Sequence, residues 1–312
     1  MKRISDALEL SLDHPSLMSL LDAFGTDDEC RIVLEELRWP RGPRCIRCDS
    51  DKLSRIYKRD QFDCDACGYQ FSVMAGTIFH DSHLPLRKWF VATFLICESK
   101  KGISALQLKR TLGVSYKTAW YLTHRIRAAM VGADTRQLTG VVEADETYIG
   151  GKSTGFKNKR EAARGRLANK TVVLGAMERG GRIRLRVAPN ARKHHIGAFL
   201  AEVVADDATA IYTDELRSYD HVGDHKAKEW VRGEVHTNTA ESAWSLFDRA
   251  VIGSYYQLSR KHLPAYLAEF EFRFNNRENP YLFRDTLTRL LTSENLPYSK
   301  LIGPQIVKAP RG

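Results

Sequence analysis

Hydrophobic residues recur along this chain with two periods, and the change of period divides the sequence. In the first part they recur every three to four positions, which predicts amphipathic helices. One such helix begins after Thr26, which forms a capping box with Glu29, and it ends before Pro40. A second apolar helix is predicted over 84–98. From about residue 139 the apolar positions alternate instead, which predicts β-strands.

Residues 102–130 carry the pattern of a helix-turn-helix. A short helix capped by Ser104 leads into a turn that contains Gly113, and a longer helix capped by Ser115 follows. The early part of the second helix would suit a DNA groove, with Lys117 and Arg125 as candidate DNA-binding residues. An ordinary helical hairpin is the alternative.

The alternating part begins with the strand VVEADETYIGG and a hairpin that turns at Gly180-Gly181. A helix over 194–205 and the strand TAIYT follow. Two helices, NTAESAWSLFDRAVIG and HLPAYLAEFEFRFNNR, complete the segment. Strands and helices mixed in one unit of this length predict an α/β domain.

These patterns give five expected regions along the chain. They are an N-terminal helical segment (1–40), a zinc ribbon (41–80), a helix-turn-helix DNA-binding region (81–135), a catalytic domain (136–297) and a loose C-terminal tail (298–312).

Composition excludes several classes of protein. Hydrophobic residues make up 43% of the 312 residues, too many for a wholly disordered chain. No apolar run is long enough to cross a bilayer, and the first residues, MKRISDALELSLDHP, lack the apolar core of a signal peptide. We therefore expect a cytoplasmic protein with no membrane partner, in which cysteines stay reduced.

Four of the six cysteines follow the spacing of a zinc site. Two C-x2-C pairs are separated by fifteen residues, and each pair can aim two thiolates at one point: Cys45 with Cys48, and Cys64 with Cys67. Gly68 follows the last ligand, where a positive φ costs little. The spacing predicts a structural Zn²⁺; the remaining two, Cys30 and Cys97, are expected to be core residues.

The net charge of +10 is concentrated in one segment. Lys152–Lys193 holds thirteen Lys and Arg but only two acids, so its net charge of +11 exceeds that of the whole chain. This segment is either a solvated surface or a clamp for DNA phosphates. The candidate contacts are Lys152, Lys157, Lys159, Arg160 and Arg164.

Acidic residues at strand ends are the candidate reactive groups. Glu143, Asp145 and Glu146 lie on the first strand, Asp214 ends the strand TAIYT, and Glu241 lies early in a helix. Such carboxylates could converge on Mg²⁺ or Mn²⁺ ions that assist phosphoryl transfer. The alternative is that each is an ordinary surface charge.

The segments around these acids resemble the DDE transposase family of bacterial insertion sequences. The blocks are VVEADETYIGGK, IYTDELRSYD and HTNTAESAWSLFDRAVIGSYYQLSRK, preceded by the ribbon CIRCDSDKL and CDACGYQFSVMAGTIF. The resemblance covers roughly residues 25–285. It implies a ribonuclease-H-like catalytic domain, in which a mixed five-stranded sheet has helices on both sides.

The resemblance also implies the roles of particular residues. Asp145, Asp214 and Glu241 would be the catalytic, metal-binding acids, with Glu143 and Glu146 at most supporting the first of them. His236 and Asn238 would lie near the active site, where Asn238 either caps the helix or touches the scissile phosphate.

One position departs from the family. Asp248 stands where members usually carry Lys or Arg, seven residues after the catalytic Glu. We expect the adjacent Arg249 to supply the phosphate contact. The alternatives are that Asp248 joins the metal site or that activity is weakened.

The expected function is that of a transposase. It would bind the terminal inverted repeats of its element, cut the ends and join them to target DNA in an assembly of at least two protomers. A non-catalytic DNA-binding regulator and a nuclease without end joining are the alternatives.

Overall fold

The computed structural model of the chain describes residues 15–132, 134–150, 170–213, 238–256 and 258–303. The chain divides into two compact units. The first contains the chain up to Ser99, Ile103–Met130 and the part from Glu278 onward; the second contains Lys100–Gly102 and Val131–Arg277. No helix in the described part of the chain combines the length and apolar character that crossing a bilayer requires.

The first unit consists of helices and a small antiparallel sheet. In chain order its elements are α1 (Leu17–Ala23), α2 (Asp27–Arg38), β1 (Leu53–Ile56), β2 (Gln61–Cys64), β3 (Gln70–Phe71), α3 (Leu86–Glu98), α4 (Ala105–Leu112), α5 (Tyr116–Met130), α9 (Leu282–Thr292) and α10 (Tyr298–Ile302).

Helix starts in this unit follow the predicted capping signals. The Thr26 hydroxyl accepts a hydrogen bond from the Glu29 amide, and the Glu29 carboxylate accepts one from the Thr26 amide. The Ser104 and Ser115 hydroxyls each accept a hydrogen bond from a backbone amide in the first turn of α4 and α5, respectively. Between these two helices Gly113 has a φ of 61°, so the structure contains the two predicted helices and the turn that joins them.

The three strands of the first unit form the ribbon. β2 pairs with β1 and with β3, both antiparallel. A small apolar cluster lies beneath them, where the Trp39 ring meets the rings of Phe62 and Phe71 edge-on.

The second unit is a mixed α/β fold. Its elements are β4 (Val141–Ile149), β5 (Thr171–Glu178), β6 (Ile183–Ala188), α6 (Lys193–Val203), β7 (Ala210–Thr213), α7 (Asn238–Ala250), a π-helical turn (Val251–Tyr255) and α8 (Leu263–Asn275). The strand order among the described residues is β6-β5-β4-β7. β5 is antiparallel to both neighbours, and β7 runs parallel to β4.

Apolar clusters cover both faces of this sheet. On one face Val142 and Ala144 of β4 share a cluster with Phe199 and Leu200 of α6. The other face contributes to a cluster with Trp244 and other residues of α7 and α8. Each strand of a sheet alternates its side chains between the faces, so the residues of β4 are divided between two environments.

Helix α9 belongs to the first unit, which differs from the expected catalytic range of 136–297. Its Phe283 ring packs edge-on against Phe90 and Phe94 of α3, and its Thr286 hydroxyl lies 3.3 Å from the Cys97 thiol. The second unit therefore ends at Arg277. Part of the expected loose tail is also helical, because α10 begins at Tyr298.

Candidate zinc and acidic sites

Four thiol groups of the ribbon meet at one point. The sulfur atoms of Cys45, Cys48, Cys64 and Cys67 all lie within 4.8 Å of one another. The Cys45 and Cys67 sulfurs are 3.7 Å apart, and those of Cys48 and Cys64 are 3.6 Å apart. Tetrahedral Zn²⁺ with bonds of about 2.3 Å places its sulfurs roughly 3.8 Å apart. The arrangement supports the predicted structural zinc site with four thiolate ligands.

Two similar turns present these ligands. The Asp49 amide donates to the Cys45 carbonyl oxygen at 2.9 Å, and the Gly68 amide donates to the Cys64 carbonyl oxygen at 2.8 Å. Both residues have a left-handed φ, 58° for Asp49 and 65° for Gly68. Sequence reasoning identifies the glycine and misses Asp49, although aspartate tolerates this conformation better than most residues.

The other two cysteines are core residues, as expected. Cys30 is fully buried, and burial raises the pKa of its thiol to about 12. Cys97 is buried beside Thr286. Cys30 therefore lacks the lowered pKa of a reactive cysteine.

The three acids of β4 do not share one environment. Val142 and Ala144 face the α6 side of the sheet, so by alternation Glu146 lies on that side as well. Glu143 and Asp145 lie on the opposite side, where both contact α7.

Two described groups donate hydrogen bonds to Asp145. The Trp244 indole donates to its Oδ2 at 3.1 Å, and the Glu146 amide donates to its Oδ1 at 2.8 Å. The indole fits because Gly175 stands opposite Asp145 on β5; a Cβ atom there would lie 2.5 Å from the Trp244 ring. These contacts fix the orientation of the Asp145 carboxylate.

Glu143 is 1% exposed and links three elements. Its Oε2 accepts hydrogen bonds from the Thr239 and Ala240 amides at 2.9 and 3.0 Å, at the N-terminus of α7. Its Oε1 accepts one from Arg179 Nε at 2.7 Å. A buried carboxylate with these partners is stabilised by a cation and by the helix dipole.

Glu241 lies on the exposed side of α7, in its first turn. Ala240, Trp244 and Phe247, at helical spacing, face the core. Asp214 and His236 lie outside the described residues. β7 ends at Thr213, whose partner on the parallel strand β4 is Ala144, the residue before Asp145.

Asn238 is the first residue of α7. The carboxylate of Glu143 serves the following two amides, a capping role that the sequence gives to Asn238. Sequence reasoning missed this function of Glu143, since it depends on how α7 packs against β4.

Asp248 and Arg249 are both exposed near the end of α7. The Arg249 Nε donates to the Ser245 carbonyl oxygen of the same helix at 3.0 Å. Its guanidinium therefore lies along the surface of the helix that carries Glu241.

Lys117 is exposed in the first turn of α5. Its ammonium lies 4.5 Å from the centre of the Tyr298 ring, and the neighbouring Tyr116 is 53% exposed. This turn has the accessible cation that a contact with DNA requires.

Arg125 has a different environment from the one expected for a DNA contact. It is 3% exposed, and it donates to the His80 carbonyl oxygen at 2.6 Å and to Asn295 Oδ1 at 3.1 Å. Its guanidinium also lies over the Trp89 ring. Burial lowers the pKa of Arg125, and its enclosed position fits a role inside the first unit.

The candidate clamp residues Lys152, Lys157, Lys159, Arg160 and Arg164 lie outside the described residues. The hairpin that follows them is described, and its arginines have acidic partners. Arg182 pairs with Asp134 at 3.3 Å, Arg184 pairs with Glu271 at 2.9 Å, and Arg186 pairs with Glu202. These pairs neutralise much of the positive charge on the hairpin.

Comparison with known proteins finds relatives across both units. Residues 25–70 match the transposase zinc-ribbon domain, and residues 137–275 match the ISXO2-like transposase domain. The "Uncharacterized protein in transposable element ISH50" of Halobacterium salinarum is 29% identical over 282 residues, covering 82% of this chain and 93% of the relative. The first match contains all four clustered cysteines, and the second contains the three candidate catalytic acids, Asp145, Asp214 and Glu241. The chain therefore carries a transposase zinc-ribbon domain followed by an ISXO2-like transposase domain.

Proposed function

We propose that this protein is a transposase, which cuts the ends of its element and joins the resulting 3′-hydroxyls to target DNA, using Asp145, Asp214 and Glu241. The observation that carries the proposal is the packing of α7 against β4. Trp244 of α7 binds Asp145 on the strand, and Glu241 lies one turn before Trp244 on the same helix. The match to the ISXO2-like transposase domain supplies the reaction class.

The sheet supports a ribonuclease-H-like domain. Three antiparallel strands are followed by a parallel fourth strand, with α6 on one face and α7 and α8 on the other. The four described strands and the two covered faces support the mixed sheet that the resemblance implies, in which five strands are expected.

The acids fit a divalent ion through their chemistry. Carboxylate oxygens are hard ligands, which suit Mg²⁺ or Mn²⁺. Bound ions would activate a water or 3′-hydroxyl and stabilise the leaving oxygen of an in-line phosphoryl displacement. The chain orients Asp145 through Trp244 and the Glu146 amide, so this ligand is positioned before an ion arrives.

Recognition of the terminal repeats is assigned to the first unit, and further phosphate contacts to the second. The ribbon and the exposed first turn of α5, with Lys117, would read the terminal inverted repeats. Lys152–Arg164 and Arg249 would bind phosphates near the acids. Joining two ends requires at least two protomers, and the nucleoid of the cytoplasm is the expected location.

The decisive test is cleavage and strand transfer on DNA that carries the element's ends, with Mg²⁺. Asp145→Asn, Asp214→Asn and Glu241→Gln are each expected to abolish both products while DNA binding persists. Intact cleavage in any of these variants would show that the acid was assigned wrongly. Binding without cleavage in the unaltered protein would favour a regulator, and cleavage without joining would favour a nuclease.

The contact proposed for Arg249 is tested separately. Arg249→Ala is expected to weaken strand transfer, because it removes the exposed cation beside Asp248. Asp248→Lys is expected to strengthen it, because this change places a cation at the position where the family usually has one. Unchanged strand transfer by Arg249→Ala would contradict the assignment.

A further inference from the structure

The buried carboxylate of Glu143 forms an ion pair with the partly exposed Arg179 at the junction of the elements that carry the proposed acids. Glu143 lies two residues before Asp145 on the same face of β4. Its carboxylate accepts hydrogen bonds from Thr239 and Ala240, the two residues that precede Glu241. The side chain thus connects the segment around one acid with the segment around another.

Arg179 extends this connection to the neighbouring strand. Its amide donates to the Val141 carbonyl oxygen at 2.9 Å, which anchors its backbone on β4. Its guanidinium lies 4.8 Å from the centre of the Tyr212 ring, and Tyr212 is paired with Glu143 across β4 and β7. The guanidinium therefore contacts both strands at once.

The Glu143 carboxylate is costly to bury, and hydrogen bonds from Arg179 and α7 compensate for that cost. A carboxylate with 1% exposure requires compensation for its lost hydration. Glu143 obtains it from the Arg179 guanidinium, from two helix amides and from the Thr239 hydroxyl at 3.2 Å. Moving α7 away from β4 would leave this charge without its amide donors, so the interaction opposes such movement.

We propose that Glu143, together with Arg179, is a positioning residue that sets the distance between Asp145 and Glu241. The inference rests on the proposed function. Glu143 takes no part in the reaction itself, since both of its oxygens are engaged by Arg179 and by the N-terminus of α7. Residues that orient metal-binding groups typically alter metal affinity or activity about 10- to 100-fold when they are replaced.

The matched control is a second carboxylate of the same unit. Glu271 of α8 pairs with Arg184 at 2.9 Å and accepts a hydrogen bond from the Leu185 amide at 2.8 Å. Like Glu143 it joins a helix to the sheet through an arginine and a backbone amide. It contacts β6, whereas the acids of the proposed site lie on β4 and α7.

The experiment compares Glu143→Gln with Glu271→Gln in the full chain. Melting temperature, Mn²⁺ affinity by titration with spin-resonance detection, and single-turnover cleavage are measured for each. Glu143→Gln is expected to weaken Mn²⁺ binding and slow cleavage about 10- to 100-fold. Glu271→Gln is expected to lower the melting temperature while leaving Mn²⁺ affinity and cleavage rate within about twofold, the tolerance for independent sites.

Replacement of Arg179 is a second test of the positioning role. Its side chain is 39% exposed, so Arg179→Met carries the same test should Glu143→Gln fail to fold. The double variant is expected to be no slower than Glu143→Gln alone, because two residues that act as one unit are non-additive. Arg179→Lys, which keeps the charge, is expected to recover part of the Mn²⁺ affinity.

Asp145→Asn separates the two proposals. Intact cleavage in Asp145→Asn would overturn the proposed function. Lost cleavage in Asp145→Asn, with Glu143→Gln matching Glu271→Gln in Mn²⁺ affinity and rate, would overturn only the positioning role.

Discussion

The zinc ribbon and the acidic site gather charged ligands by opposite means. In the ribbon two short turns present all four thiols within Cys45–Cys67. In the second unit the proposed acids Asp145 and Glu241 are far apart in sequence, and the packing of α7 on β4 joins the two elements that carry them. The contrast shows what each proposed metal site depends on: the four thiols depend on local turns, whereas the proposed acidic site depends on the fold of the whole unit.

The apolar clusters around the two sites differ accordingly. The ribbon cluster contains Phe62, Phe71 and Ala75, and its other buried members are the ligands Cys45 and Cys64. The sheet of the second unit lies between clusters of fourteen and eleven buried residues. A domain with a small apolar cluster usually needs a metal ion or disulfide bonds to be stable, whereas a domain with a large cluster does not.

The largest expected effect comes from metal removal. A zinc chelator is expected to unfold residues 40–75 and to weaken DNA binding, because structural zinc contributes about 10 kcal/mol or more in zinc-finger peptides. Limited proteolysis of the ribbon measures this, with added Zn²⁺ as the control. The second unit should keep its cooperative thermal transition. Unchanged protease sensitivity of the ribbon would contradict the comparison.

Gly175→Ala tests the other member of the comparison, the packing around Asp145 in the second unit. The added Cβ would lie 2.5 Å from the Trp244 ring and force the indole away from Asp145. We expect a loss of about 1–3 kcal/mol in the free energy of unfolding, as for other overpacked cores. Urea unfolding measures it. Gly253→Ala is the control, because nothing lies within 4 Å of its added Cβ; equal effects would argue against the clash.

Gly68→Ala makes a smaller change within the ribbon. Its φ of 65° is costly for alanine, and no atom lies within 4 Å of the added Cβ. The cost should be about 1 kcal/mol, from backbone conformation alone. The measurement is the stability of the ribbon at a graded series of chelator concentrations. Gly68→Asn should behave more like the unaltered protein, since asparagine tolerates a positive φ.

Glu146→Gln is expected to have the smallest effect. Glu146 lies on the α6 side of β4, away from Trp244 and Glu143, so its charge is not required by the proposed site. The free energy of unfolding should change by about 0.5 kcal/mol or less. Cleavage should continue at the unaltered rate. A loss of cleavage comparable to that of Asp145→Asn would show that both faces of β4 contribute.

The four-thiol site of the ribbon could be predicted from sequence because its determinants are local. Each pair of ligands, and the turn at Gly68 that follows the second pair, spans only a few residues. Asp49 was missed because aspartate adopts many conformations, whereas a glycine after the ligands marks the turn directly.

The acidic site could be predicted only in part. Alternation along β4 places Glu143 beside Asp145, but only the packing of α7 reveals that Glu143 receives the helix amides. Helix α9 is absent from the expectations for a similar reason. Its apolar residues recur at helical spacing, yet their partners on α3 lie nearly two hundred positions away.

The placement of α9 has a consequence for synthesis on the ribosome. A chain that emerges from its N-terminus completes the sheet and α8 before Leu282–Thr292 is made. Until then the Phe90 and Phe94 rings of α3 lack Phe283, and Ile78 lacks the Leu290 carbonyl oxygen to which its amide donates. The first unit is therefore the last to acquire its full core, although most of it is encoded first. A message truncated before codon 282 would produce a first unit whose core is incomplete.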